Sequence, residues 1–281
     1  MRFSTPLRYP GGKAKLTPFI EELLVLNKLE HIHYIEPYAG GAGLALNLLF
    51  KNHADIIYLN DINKAVYSFW YSVLNYSDEL CSLIENTNIT MDEWYKQKWI
   101  MSNSSTIDTL TLGFSTFFLN RTNRSGILKG GVIGGKRQDG NWKLDARFNK
   151  NNLINRIEKI NKEKDRIILT NIDAIDFINQ VSIGLDSNKS LIYLDPPYYI
   201  KGQGLYENHY KPDDHLLISK KIISEINIPW IVSYDNTPQI IELYKKCKMI
   251  TYGIKYSAQD KYLGSEVMFF SEKLKYPNKI K

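Results

Sequence analysis

The sequence predicts an α/β fold with a mostly parallel central sheet, because short apolar runs alternate with helix-period segments and most runs are followed by an acidic residue. A break in that rhythm between about residues 70 and 150 predicts an inserted module.

The elements follow in order. Tyr34-Ile35-Glu36 leads into Gly40-Gly41-Ala42-Gly43, and Leu44 to Phe50 is apolar enough for a buried helix: strand, tight turn, helix. Ile56-Ile57-Tyr58-Leu59 ends in Asn60-Asp61, and Ala65, Val66, Phe69, Trp70, Val73 and Leu74 follow at helical spacing. The rhythm resumes with Arg166-Ile167-Ile168-Leu169 before Asp173, Leu191-Ile192-Tyr193-Leu194 before Asp195, and Trp230-Ile231-Val232-Ser233-Tyr234 before Asp235. Parallel sheets bind ligands at the carboxyl ends of their strands, so acids on that rim mark a site. Tyr252 and Glu266-Val267-Met268-Phe269-Phe270 are expected to form a terminal hairpin closing the sheet edge.

The interrupting stretch is rich in polar and basic residues interleaved with Trp94, Trp99, Phe114, Phe117, Phe118, Trp142 and Phe148. A net charge of +6 suits a partner carrying phosphates. Cys81 and Cys247 have no metal-ligand spacing and are too few to staple the chain, which points to a reducing cytoplasm. No signal peptide and no membrane span is expected. His31, His33, His209 and His215 read as packed or exposed side chains, and no metal site is expected. Gly130-Gly131-Val132-Ile133-Gly134-Gly135-Lys136 has the spacing of a phosphate-binding loop, but Arg137 replaces the required Ser or Thr and turn residues follow where a helix should start; a mobile loop contacting a phosphate-bearing polymer fits better.

Asp195-Pro196-Pro197-Tyr198 is the most informative string. Two consecutive prolines fix φ and remove two backbone donors, holding the Pro196 carbonyl rigidly beside the Asp195 carboxylate. An amino group facing both acceptors gives one hydrogen to each, which draws its lone pair out of ring conjugation toward an incoming methyl group. Tyr198 is expected to stack on the base that carries the amine. A proline turn capping a strand is the plain alternative, and the glycine cluster lacks full G-x-G-x-x-G spacing, so the conjunction of the two carries the reading.

These residues resemble the Dam-like DNA-adenine N6-methyltransferases over nearly the whole chain, in the order amino-terminal motif, glycine motif, recognition insert, Asp-Pro-Pro-Tyr. The resemblance implies a Rossmann-like S-adenosylmethionine-dependent methyltransferase fold, its catalytic domain split into 1–69 and 153–281 around a mainly helical target-recognition insert at 70–152. Arg8-Tyr9-Pro10-Gly11-Gly12-Lys13 resembles the family's amino-terminal motif, which implies cofactor contact by Tyr9 and Lys13. Glu36-Pro37-Tyr38-Ala39-Gly40-Gly41-Ala42-Gly43 resembles its glycine motif and implicates Glu36, Pro37, Tyr38, Gly40, Gly41 and Gly43, leaving open which glycine lies closest. Asp61, followed by Ile62, matches the acid that binds the ribose hydroxyls. Asp173, followed by Ala174, matches the acid on the cofactor adenine, with Asp176 near enough to share the match; a helix cap is the alternative for either acid.

Phe118-Leu119-Asn120-Arg121-Thr122-Asn123-Arg124-Ser125-Gly126 resembles the family's Asn-Arg string at the DNA surface, implying DNA contact by Asn120, Arg121, Asn123 and Arg124, with Lys136, Arg137, Lys143 and Arg147 adding charge. Arg124 and Asn120 are expected to read bases, and lysines to hold phosphate. The implied activity is site-specific methyl transfer from S-adenosylmethionine to N6 of a flipped-out adenine in duplex DNA, with Asp195 also near the cofactor. Asp in place of Ser at 195 disfavours N4-cytosine methylation, and intact Lys13 and Asp195 disfavour an inactive DNA-binding regulator. The expected setting is a functionally monomeric, cytoplasmic enzyme of a bacterium or phage, with room for a separate restriction endonuclease.

Overall fold

A computed structural model describes residues 4–9, 11–199, 210–256 and 262–280; Pro10 and His209 lie outside the described residues. The strands are β1 (Ile32–Glu36), β2 (Ala54–Asn60), β3 (Ile167–Thr170), β4 (Ser190–Leu194), β5 (Trp230–Asp235), β6 (Lys248–Tyr256) and β7 (Tyr262–Phe270). In chain order the helices are α1 (Thr17–Leu26), α2 (Gly43–Phe50), α3 (Lys64–Asn75), α4 (Ser77–Asn86), α5 (Met91–Ser102), α6 (Thr109–Thr122), α7 (Lys150–Asn161), α8 (Ala174–Gly184), α9 (Pro212–Ser224) and α10 (Pro238–Leu243). Two compact units emerge: Lys13–Ile62 with Thr170–Lys281, and Met1–Gly12 with Asn63–Leu169.

The sheet runs β3-β2-β1-β4-β5-β7-β6. β1 pairs in parallel with β2 and β4, and β4 with β5, while β7 lies antiparallel to β5 and β6. β4 and β5 are buried along their whole length, which explains why Leu191 to Leu194 and Trp230 to Val232 read as continuous apolar runs and not as alternating ones. Ile35, Ile192, Leu194, Val232 and Phe269 of the sheet share one core with Phe177 and Ile178 of α8 and Ile218 and Ile222 of α9. Burying each such side chain is worth about 1.5–3 kcal/mol. From the adjacent strands β1 and β4 the chain leaves in opposite directions across the sheet, so a crevice is expected at their carboxyl ends.

In the helical unit α3 and α6 lie against each other because Gly113 has no side chain: a Cβ there would meet Ser72 Oγ at 2.5 Å and the Ser68 carbonyl at 2.6 Å. Thr116 Oγ1 donates to the Ala65 carbonyl at 3.1 Å, and Phe69 stacks on Phe117 at 5.9 Å. α7 joins the same body, with Asn161 Nδ2 donating to the Val73 and Leu74 carbonyls and Lys150 Nζ to the Glu85 carbonyl. Residues 1–12, 63–69 and 153–169, read from sequence as parts of the catalytic domain, cluster with the insert in one compact unit. The helical spacing at Val66 to Leu74 was real, but its apolar side meets α6. Cys81 and Cys247 are free and half-buried, and burial pushes the Cys81 thiol up to about 11.

Candidate active site

The glycine turn is built by its neighbours. Gly40 adopts a positive φ of 46°, as does Ala42, and the Gly40 N–H donates to Asp61 Oδ2 at 2.9 Å. A left-handed backbone suits glycine because it has no Cβ to clash. Asn60, fully buried, fastens three segments: its Nδ2 donates to the Pro37 and Ile172 carbonyls, and its Oδ1 accepts from Thr170 Oγ1 and the Ile172 N–H. Asn60 carries no motif in the sequence, where it shows as a polar residue ending an apolar strand.

Glu36, at the end of β1, sends Oε1 to both the Tyr34 hydroxyl at 3.1 Å and the Ala45 N–H at 3.2 Å in the first turn of α2. Burial pushes its carboxyl up to about 8, against the pull of the Tyr34 hydrogen bond. Tyr38 is half-buried, with its hydroxyl 2.6 Å from that of Tyr210. Pro37, Gly40 and Gly41 are buried, Gly43 opens α2, and Ile62 is exposed. Asp173 is an exposed N-cap of α8: Oδ1 accepts from the Ile175 and Asp176 N–H groups, and Ala174 behind it is buried. The helix-cap alternative is thus realised there, through one oxygen only.

Asp195 follows β4, and two donors converge on its Oδ1: Lys13 Nζ at 2.8 Å and Ser233 Oγ, from β5, at 3.0 Å. Oδ2 faces no described partner. Burial pushes the Asp195 carboxyl up, opposed by the Lys13 ammonium. Lys13, only 7% exposed, also donates to the Tyr198 hydroxyl at 2.8 Å. Tyr198 in turn donates to Glu266, which also accepts from Tyr252 at 2.7 Å. Lys13 thus enters through the amino-terminal motif but sits, in this conformation, between Asp195 of the Asp-Pro-Pro-Tyr loop and Glu266 of β7. Tyr198 is 4% exposed, so its ring is enclosed and does not offer the stacking face expected of it. Pro196 is buried and Pro197 partly exposed, while the Tyr199 N–H is fixed to Asp235 Oδ1 at 2.9 Å. Ser233, Tyr252 and Glu266 went unassigned in the sequence because their strands carry no motif.

Tyr9 lies in the other unit, its carbonyl accepting the Gly12 N–H at 3.1 Å. In that unit the Asn-Arg string divides. Asn120 is 2% exposed and clasps the Arg8 backbone, accepting its N–H at 2.7 Å and donating to its carbonyl at 2.9 Å, with a further bond to the Gly126 carbonyl. Asn123 is fully buried, accepts the Trp94 indole N–H and donates to the Ile127 and Leu128 carbonyls. Arg121 is turned toward the Arg147 and Pro6 carbonyls, and burial with its arginine neighbours pulls its pKa down. These three hold the loop together, so the base contact expected of Asn120 has no surface to act from. Arg124, Lys136, Arg137, Lys143 and Arg147 are exposed.

The glycine-rich segment beyond them carries hydrogen bonds of its own. Gln138 donates to the Ile133 and Gly135 carbonyls and accepts the Leu144 N–H, and Arg147 lies over the exposed Trp142 ring at 5.5 Å. Turns occupy residues 133–138 where a phosphate-binding loop would start a helix.

The family profile described as D12 class N6 adenine-specific DNA methyltransferase matches residues 9–258. The type II methyltransferase M.MjaIII of Methanocaldococcus jannaschii is 26% identical over 205 residues, 68% of each chain. Among solved structures, the rRNA methyltransferase aviRa of Streptomyces viridochromogenes is similar at a TM-score of 0.42 and 11% identity, over 94% of this chain and 86% of that one.

Proposed function

Because the chain belongs to the D12 class of N6 adenine-specific DNA methyltransferases, we propose that Asp195 is the acceptor that grips the target amine and that S-adenosylmethionine is the methyl donor. The donor supplies a methyl group already activated on a sulfonium, so the chain's task is alignment and charge placement.

One observation carries the assignment of Asp195: Lys13 and Ser233 both hold Oδ1, which leaves Oδ2 oriented and available to accept an N–H from the adenine amine. With the Pro196 carbonyl fixed next to it by the two prolines, two acceptors address the two amine hydrogens. A carboxylate accepts an amine hydrogen more strongly than a carboxylic acid does, and Lys13 opposes the burial that pushes the Asp195 carboxyl up.

The residues of the glycine motif fit the proposed donor. A backbone turn with a positive φ at Gly40, a carboxylate at Asp61 and the start of α2 present N–H groups and an acceptor where a ribose and an amino-acid moiety can be held. Gly40 is the glycine that the geometry favours for close approach. Asp173 Oδ2, outside the cap, is the acceptor available to an exocyclic amine. Of the basic residues singled out in the sequence, Arg124, Lys136, Arg137, Lys143 and Arg147 are exposed and are the candidates for DNA contact. The substrate is proposed to be duplex DNA, whose N6 must be extruded from the stack at roughly a few kcal/mol. The relative M.MjaIII supports a restriction-modification setting.

The test is expression in a host without adenine methylation, followed by sequencing that detects N6-methyladenine. The parent chain is expected to mark adenines in one sequence context, and Asp195→Ala to lower the mark by at least about 10²–10³-fold while DNA binding persists. A folded Asp195→Ala chain that methylates at the parental rate refutes the assignment.

A further inference from the structure

Glu266 sits at the centre of β7, opposite Asp235 of β5 and Tyr252 of β6. It is fully buried, and neither the amino-terminal, glycine nor Asp-Pro-Pro-Tyr motif includes it. Its two oxygens are used differently. Oε1 accepts the Tyr198 hydroxyl, while Oε2 accepts the Tyr252 hydroxyl at 2.7 Å and lies 3.9 Å from Lys13 Nζ. Lys13 donates in turn to Asp195 and to Tyr198, each at 2.8 Å. One ammonium therefore lies between two carboxylates, and a directed chain of bonds runs from Lys13 through Tyr198 to Glu266.

We propose that Glu266 is a positioning residue for Asp195, acting through Lys13 and Tyr198, which it holds from the sheet side. This rests on the reading of Asp195 as the amine acceptor. Lys13 lies between the carboxylates of Asp195 and Glu266, so whatever draws it toward one of these acids withdraws it from the other. Among the described residues, the groups around Asp195 include Lys13 from the turn Lys13–Leu16, Tyr34 and Glu36 from β1, Tyr193 from β4, Ser233 from β5, Tyr252 from β6, and Tyr198 and Glu266. After burial, the Glu266 charge is what pushes the Asp195 carboxyl up, while Lys13 and Ser233 pull it down.

Two substitutions then act in opposite directions. Glu266→Gln removes the competing charge and leaves Lys13 to Asp195, so Asp195 ionises at lower pH. Tyr252→Phe keeps the charge but deprives Oε2 of its phenol, so Lys13 is drawn toward Glu266 and Asp195 ionises at higher pH.

The experiment is a carbon-13 NMR titration of the aspartate carboxyls in ligand-free protein, with the Asp195 resonance assigned by its loss in Asp195→Asn. The expected midpoint moves down by about one pH unit in Glu266→Gln and up by about half a unit in Tyr252→Phe. The acid limb of kcat/KM for methyl transfer, which reports free-enzyme groups, is expected to move in the same directions. Unmoved midpoints in folded variants overturn the proposal, as does a fall in kcat with an unmoved acid limb. If Glu266→Gln lacks a cooperative melt, Tyr252→Phe alone decides by the same criteria. A parent chain that fails to methylate DNA refutes the proposed function, while the titration still judges Glu266.

Discussion

At Glu36 a single carboxyl ties charge to stability. Its ordinary value is 4.5 and burial pushes it up to about 8, with the Tyr34 and Ala45 donors both on Oε1. Between those values the folded chain holds a proton that the unfolded chain has released. The stabilising contribution of this proton is complete at low pH and is lost as pH rises toward 8. Glu36→Gln keeps an acceptor for both donors and removes the ionisation. Urea denaturation is expected to show a flatter stability-against-pH curve for the variant between pH 5 and 8.5, with a gain of roughly 1–3 kcal/mol at the upper end. An unchanged slope would mean that Glu36 stays ionised in the folded chain. Asp195 differs from Glu36 in having Lys13 at 2.8 Å: burial pushes its carboxyl up as well, but a neighbouring ammonium opposes that push.

Among the elements, the pairing of α3 with α6 depends on one absent side chain. Gly113→Ala would push a Cβ against the Ser68 carbonyl, which belongs to the backbone and cannot rotate aside. Thermal or urea unfolding is expected to show a loss of about 1–3 kcal/mol, although alanine has the higher helix propensity. A gain in stability would mean that the helices yield easily at this contact. The loop after α6 poses the same question for Asn120. Its amide replaces both a donor and an acceptor that the Arg8 backbone would otherwise lack, so Asn120→Ala strands buried polar groups at about 1–3 kcal/mol. Its effect is expected in the melting temperature, with base preference kept. A changed recognition sequence at parental stability would return Asn120 to the DNA surface.

For the whole molecule, the net charge of +6 matters through where it is exposed. Arg124, Lys136, Arg137, Lys143 and Arg147 are exposed, whereas Arg121 is enclosed. Lys143→Ala is expected to weaken binding to all DNA sequences and to reduce the salt slope by about one. Arg124→Ala is expected to relax sequence preference by about 1–3 kcal/mol at one base position, measured by competition between oligonucleotides. If the two variants behave alike, base readout belongs to another side chain.

The strands, the glycine turn and the Asp-Pro-Pro-Tyr loop were legible in the chain because each is local: apolar runs of fixed period, and proline and glycine constraints acting on their own backbone. Asp195, Asp61 and the acids of the sheet rim could be picked out for the same reason. Three things were decided only by tertiary packing. α3 and α7 went to the helical unit, since periodicity shows that a helix has an apolar face but not which neighbour covers it. Asn120, Asn123 and Arg121 turned inward, since a polar side chain reads alike whether its partner is a base or a distant backbone carbonyl. Glu266, more than 60 residues beyond Asp195, joined the Lys13 cluster through the register of β5, β7 and β6, and no local pattern encodes the charge balance between side chains that meet only in the folded sheet.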